Sequence, residues 1–109
     1  MDIIRSLDTD NMARALQSLT PEDRAGILSV GASFHRLTVK KRLERAERKV
    51  EGFEAKYHRT LHEIEADGLP DNADYAAHED YVEWHYWGRV LERDQRTLEA
   101  LSMLAPEPT

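Results

Sequence analysis

His58 and His62 stand four residues apart, and of everything in this 109-residue chain they come nearest to a metal site. On one helical turn such a pair can direct two imidazole nitrogens at a zinc or other transition-metal ion. A full ligand set is harder to find. The chain has no cysteine, Arg59 follows His58 where a metalloprotease motif needs glutamate, and His78 and His85 join only if a hairpin brings them round. Solvated histidines are the better reading, and neither a metal nor another cofactor is expected. Carboxylate pairs are plentiful, but among 21 acidic residues they arise from composition alone. No serine–histidine–acid arrangement and no glycine-rich phosphate loop is legible, so the chain reads as a non-enzyme.

Binding chemistry is better represented. Five of the eight aromatic residues lie between Tyr75 and Trp87. Trp84 and Trp87 share a helical face with Leu91 and Leu98 and read as core. Tyr81 and Tyr86 flank that face on opposite sides and, joining an apolar body to a polar tip, suit either the edge of the core or a partner surface; in the second reading they bind the partner with Glu79 and Glu83. Asp80 and Asp94 fall at the centre of the apolar face, where a lone carboxylate is costly. Lys56, Arg59 and Thr60 are the expected partners of Asp80, and a basic residue upstream is expected to reach Asp94. A second cluster, from Arg36 to Lys49, includes Lys40, Lys41, Arg45 and Arg48. It reads either as a patch for phosphates or an acidic partner, or as the solvated side of a helix laced with Glu–Arg and Glu–Lys pairs.

The elements that carry these residues follow from spacing. Residues 21–66 read as one long helix, opened by Thr20 as cap, Pro21 in the first turn and Glu22 and Asp23 behind it. Arg36, Leu43, Val50, Tyr57 and Ile64 take heptad position a; Ala25, Ala32, Val39, Ala46, Phe53 and Thr60 take position d. Such a strip lies along another helix. Ile27, Val30, Phe34 and Leu37 form a second apolar line nearly opposite the first, so this part must be covered on both sides, by the N-terminal segment or by a second copy of the chain. Gly26 and Gly31 permit a kink. Gly68 and Pro70 close the helix, residues 67–72 form a short loop, and a second helix over 73–103 starts at Asp71 or Asn72 with Asp74 completing its first turn. Residues 1–19 carry Ile3, Ile4, Leu7, Met12, Leu16 and Leu19; they read as one or two short helices capped by Asp2 or Asp8, with a break near Asp8 to Asp10. Residues 104–109 form a frayed tail.

Charge is divided unevenly. The net charge is −6, but residues 1–60 hold 12 basic against 9 acidic residues (+3), whereas residues 61–109 hold 3 against 12 (−9). The acidic total argues against nucleic acid as a partner. With no cysteines, no signal-peptide pattern and no apolar run of about 20 residues, the chain reads as a single soluble cytoplasmic domain.

From Phe53 to Leu101 the chain resembles small helical antitoxin-like proteins of bacterial and archaeal toxin–antitoxin pairs. The likeness rests on Phe53, Lys56 and Tyr57, on acids at Glu63 and Glu65, and on Asp80-Tyr-Val-Glu-Trp84 leading into a leucine-bearing helix. His58 replaces a glycine common in such proteins, and the first 35 residues lie outside the likeness. The resemblance implies a protein that wraps its helices around a toxin encoded nearby and masks it.

The expected architecture is therefore all-α: a long antiparallel, coiled-coil-like helical hairpin with a short N-terminal helical segment, two chains pairing into a four-helix bundle. Its expected core and dimer residues are Val39, Leu43, Val50, Phe53, Tyr57, Ile64, Trp84, Trp87, Leu91 and Leu98. The expected role is an antitoxin-like protein-binding module. A dimeric scaffold or adaptor, and a DNA-contacting regulator using residues 36–49, are the alternatives.

Overall fold

The computed structural model describes residues 2–106, with side chains described from Thr9 onward. It contains α1 (Asp2–Ser18), α2 (Pro21–Tyr57), α3 (Leu61–Asp67) and α4 (Tyr75–Leu104), and no strand among the described residues. No helix described is long and apolar enough to cross a membrane.

The organising pair is α2 with α4. Contacts run in opposite chain directions: Lys56 meets Asp80, Arg42 meets Asp94, and Arg36 meets Leu101 and Ala105. The hairpin is thus antiparallel. Along α2 the heptad strip turns inward, burying Ala32, Arg36, Val39, Ala46 and Val50, with Leu43, Phe53 and Tyr57 half-buried. Facing them on α4 are Trp84, which is 1% exposed, and the half-buried Trp87, Leu91 and Leu98. The two helices differ in reach. At 1.5 Å per residue α2 is about 55 Å long and α4 about 45 Å, so α2 runs on past the end of its partner. The radius of gyration is 19.4 Å, against about 13 Å for a compact chain of this size. A shape this extended leaves the outer faces of the hairpin bare.

Residues 21–66 do not form the single helix expected from the heptad spacing but two, α2 and α3. His58 takes φ 56° and ψ 34°, the left-handed region, and ends α2; Thr60 then caps α3. The break is stabilised locally. Thr60 Oγ1 accepts from the Glu63 amide at 3.1 Å, the Glu63 carboxylate accepts from the Thr60 amide at 3.0 Å, and Glu54 takes the Leu61 amide at 3.3 Å. That reciprocal pair is a capping box, legible as Thr-x-x-Glu. The bend turns Ile64 onto Val50 and Trp84. It also seats Leu61 against Gly88, where a Cβ would collide with the leucine Cδ2.

Other boundaries shift less. Thr20 caps α2 as read, accepting from the Asp23 amide at 3.1 Å. Gly68 closes α3 with φ 77°. The second long helix starts at Tyr75, capped by Asp74 through the Ala77 amide at 2.9 Å, rather than at Asp71 or Asn72. It continues through Leu104, and Ala105 is 3% exposed because Arg36 grips its carbonyl; the frayed tail does not begin at 104. Residues 107–109 lie outside the described residues. The N-terminal segment is one helix with no break at Asp8 to Asp10. Side chains of Asp2, Ile3, Ile4, Leu7 and Asp8 lie outside those described. Arg24 of α2 caps the end of α1, donating to the carbonyls of Leu16 at 2.8 Å and Leu19 at 3.1 Å.

Candidate interaction surface

At the closed end of the hairpin an aromatic stack fixes the start of α4. Trp84 lies between Phe53 and Tyr57, with ring centroids 5.8 and 5.7 Å away and planes inclined by 21° and 17°. Beside it Asp80 accepts from Lys56 Nζ and from the Tyr57 hydroxyl, each at 2.6 Å. The Lys56 hydrogen bond, then that of Tyr57, holds the Asp80 carboxyl below the usual carboxylate range. Asp80 in turn raises Lys56 and Tyr57 above their ordinary values. Lys56 is among the expected partners of Asp80, whereas Arg59 turns instead to Asp67 and Thr60 to Glu63.

Further along, Asp94 is fully buried and one carboxylate oxygen receives Arg42 at 3.2 Å and Arg93 at 3.3 Å. Its other oxygen and the Trp84 indole nitrogen find no hydrogen-bond partner among the described residues. Trp87 is claimed by the basic cluster: the Arg45 guanidinium lies 5.2 Å and the Lys49 ammonium 5.9 Å from its ring centroid, cation–π distances. Of the proposed patch, Arg45 is therefore engaged with α4 and Lys40 is half-buried, while Lys41 and Arg48 remain exposed.

The residues read as partner-binding separate into two groups. Tyr81 is half-buried against the core cluster and 6.1 Å from the His85 ring. His85 itself is held by Glu65 at 2.7 Å, tying α3 to α4. Tyr86, by contrast, is 53% exposed, and Glu79 and Glu83 are exposed beside it. Two residues passed over in the sequence complete this surface. Tyr75 and Val82 are 77% and 68% exposed. Spaced seven and four residues, Tyr75, Val82 and Tyr86 stand on the side of α4 opposite Trp84, lining a shallow groove with His78, Glu79 and Glu83. Their signal was available: aromatic and branched residues recurring with helical period on a face that the core does not use. A neighbouring groove shares Val82 and Tyr86 with it and is lined by Arg89, Arg93 and Arg96, the only lysine or arginine residues after Arg59.

The two histidines are not brought onto one helical turn. His58 sits in the break and His62 on α3, both exposed, and no cluster of three or more potential ligands occurs among the described residues.

The fold is thus an all-α antiparallel hairpin with accessory helices. The chain matches no protein-family model, no curated protein and no solved structure, and none of these comparisons links it to the antitoxin-like proteins.

Proposed function

We propose that this chain is a non-catalytic, antitoxin-like binding module that masks a basic protein partner with the outer face of the first half of α4. The observation that carries this reading is the exposed set Tyr75, Val82 and Tyr86, flanked by Glu79 and Glu83 on a helix whose other side is anchored by the Trp84 stack. An apolar strip with acidic side chains along the upstream flank, Glu79 and Glu83, is suited to a basic partner surface there, while Arg89, Arg93 and Arg96 bound its downstream end. The −9 balance of residues 61–109 agrees with a basic toxin encoded nearby, acting in the cytoplasm. The resemblance over residues 53–101 points the same way.

Co-expression with the product of the adjacent gene tests it. A complex that co-elutes on sizing, with relief of toxicity, is expected. Tyr86→Ala should weaken that complex by about 10–30-fold, the scale of an interface aromatic, without altering helicity. Absence of both complex and relief would remove the reading.

A dimeric scaffold is the second reading, favoured by the bare line Ile27, Val30, Phe34 and Leu37 on α2. Pairing of two hairpins in a four-helix bundle is compatible with either role. The DNA-contacting alternative loses support, because Arg42, Arg45 and Lys49 are occupied by Asp94 and Trp87.

A further inference from the structure

The bare face of α2 has an internal symmetry. Asp23, Ile27, Val30, Phe34, Leu37 and Lys41 follow one another at intervals of four, three, four, three and four residues, a pattern that reads the same in both directions. All six are exposed, the apolar four at 54%, 68%, 85% and 60%. At 100° per residue they form one stripe on the side of α2 opposite Ala32, Val39 and Ala46, which are buried. The hairpin cannot fold over it, since α4 already occupies that buried side.

We propose that this stripe is a homodimer seam in which two α2 helices pack antiparallel about a two-fold axis at the level of residue 32. In that register Val30 faces Phe34 of the partner subunit and Ile27 faces Leu37 of the partner subunit. Asp23 faces Lys41 of the partner subunit, so each apolar stretch is closed at both ends by opposite charges. A parallel pairing would instead set like charges against each other at both ends, which is destabilising. An isologous two-fold contact needs this self-complementarity. Open space at Gly31, where a Cβ would meet nothing, leaves room beside Val30 for an incoming phenylalanine ring.

The area is adequate. The four apolar side chains expose on the order of 400 Å² per chain, within the range of ~300–600 Å² at which an apolar patch marks a contact, and about half of the ~800 Å² per partner of a stable interface. The charged flanks of both helices supply the rest. Overlap is confined to residues 21–43 of each α2, so the two hairpins are staggered rather than flush. The seam rests on the association of two chains and is independent of any masked toxin.

Sedimentation equilibrium on the full chain, with helicity followed by circular dichroism, tests it. The wild type is expected to be a dimer. Phe34→Glu should raise the dissociation constant at least about 100-fold with unchanged helicity, the scale of a central interface anchor. Asp23→Lys and Lys41→Asp should each weaken pairing by about 10-fold, and the double swap should return it to within ~3-fold. Because the chain has no cysteine, a nitroxide on Glu51→Cys reports direction. Antiparallel pairing separates the two labels by about 57 Å along the axis, whereas parallel pairing brings them within ~20 Å. A monomeric wild type would overturn both association and seam. A dimer indifferent to Phe34→Glu, or one with the short label distance, would overturn the seam and leave association standing.

Discussion

Replacing Asp94 with leucine should make the hairpin more stable, although it deletes the most buried charge described and two hydrogen bonds. The carboxylate is 0% exposed. Moving such an ion out of water costs several kcal/mol even after relaxation. What it receives is meagre: Arg42 at 3.2 Å and Arg93 at 3.3 Å, both on the same oxygen, where good charge-assisted bonds measure about 2.7–2.9 Å. Both donors are partly in solvent, at 43% and 59% exposure, which weakens their pull. Leucine would continue the spacing of Leu91, Leu98 and Leu101 and contribute about 1.5–3 kcal/mol of burial, less about 1 kcal/mol or more for its extra volume. With the unrepaid desolvation removed, the net expectation for Asp94→Leu is a gain of about 1–2 kcal/mol, or roughly 5–10 °C in Tm. Arg42→Ala alone should do the reverse, costing about 1–2 kcal/mol, because it leaves the buried acid to Arg93. Urea unfolding followed by circular dichroism, repeated at several protein concentrations to separate folding from association, measures both. A loss above about 1 kcal/mol in Asp94→Leu would refute the reasoning; it would mean that the two long hydrogen bonds outweigh the cost of burying the charge.

Three further outcomes are expected. Trp84→Ala should destabilise the fold by about 3–5 kcal/mol, the cost of emptying a large aromatic site, because its indole is sandwiched by Phe53 and Tyr57; denaturant midpoints give the value. His58→Gly should stabilise by about 0.5–1 kcal/mol, trading left-handed strain against glycine's larger unfolded-state entropy; a drop in stability would show that the imidazole contributes more than its backbone costs. The Asp80 cluster should impose a pH dependence. Its folded carboxyl lies below the unfolded value, so its contribution is complete above about pH 4 and drains away as the pH falls through the folded value. Lys56 and Tyr57 are displaced upward, so their contributions are present below about pH 10 and disappear as the pH rises through their folded values. Asp80→Asn should shrink the acid limb without removing it, because the Thr60 hydrogen bonds hold Glu63 low as well; thermal melts between pH 2 and 6 would reveal the difference.

How much of this could be read beforehand depended on whether local chemistry or tertiary packing decided the matter. The inward strip of α2 followed directly from heptad spacing because a helix of that length must bury a stripe. Thr20 and Gly68 were equally legible, whereas for Asp80 the spacing left Lys56, Arg59 and Thr60 open as partners and did not point to the Tyr57 hydroxyl. The break at His58 was not legible, because hydrophobic periodicity carries through it: Ile64 sits at the next heptad position and is buried, but from a separate helix. The capping box at Thr60 and Glu63 was the competing local signal. Tyr81 was open to two readings, core edge or partner surface, because its angular position is intermediate; in the fold it packs half-buried against the cluster of Val50, Ile64 and Trp84. Tyr75 and Val82 stand opposite the apolar face that contains the tryptophans, so the core pattern of α4 does not mark them, and both are exposed. The Arg36 clamp on Ala105 joins residues 69 positions apart, and no pattern in the sequence announces it.

That clamp and the Lys56–Asp80 bridge together act as a length gauge. From Arg36 to Lys56 along α2, and from Asp80 to Leu101 along α4, the chain travels about 30 Å in each direction. Both clasps close only while those distances agree. Insertion of a heptad into one arm would leave one clasp open unless the opposite arm grew by the same amount. Length variation in descendants of this protein should therefore come as matched additions to both arms, or be displaced to α1 and the loop before Tyr75, where neither fastening is affected.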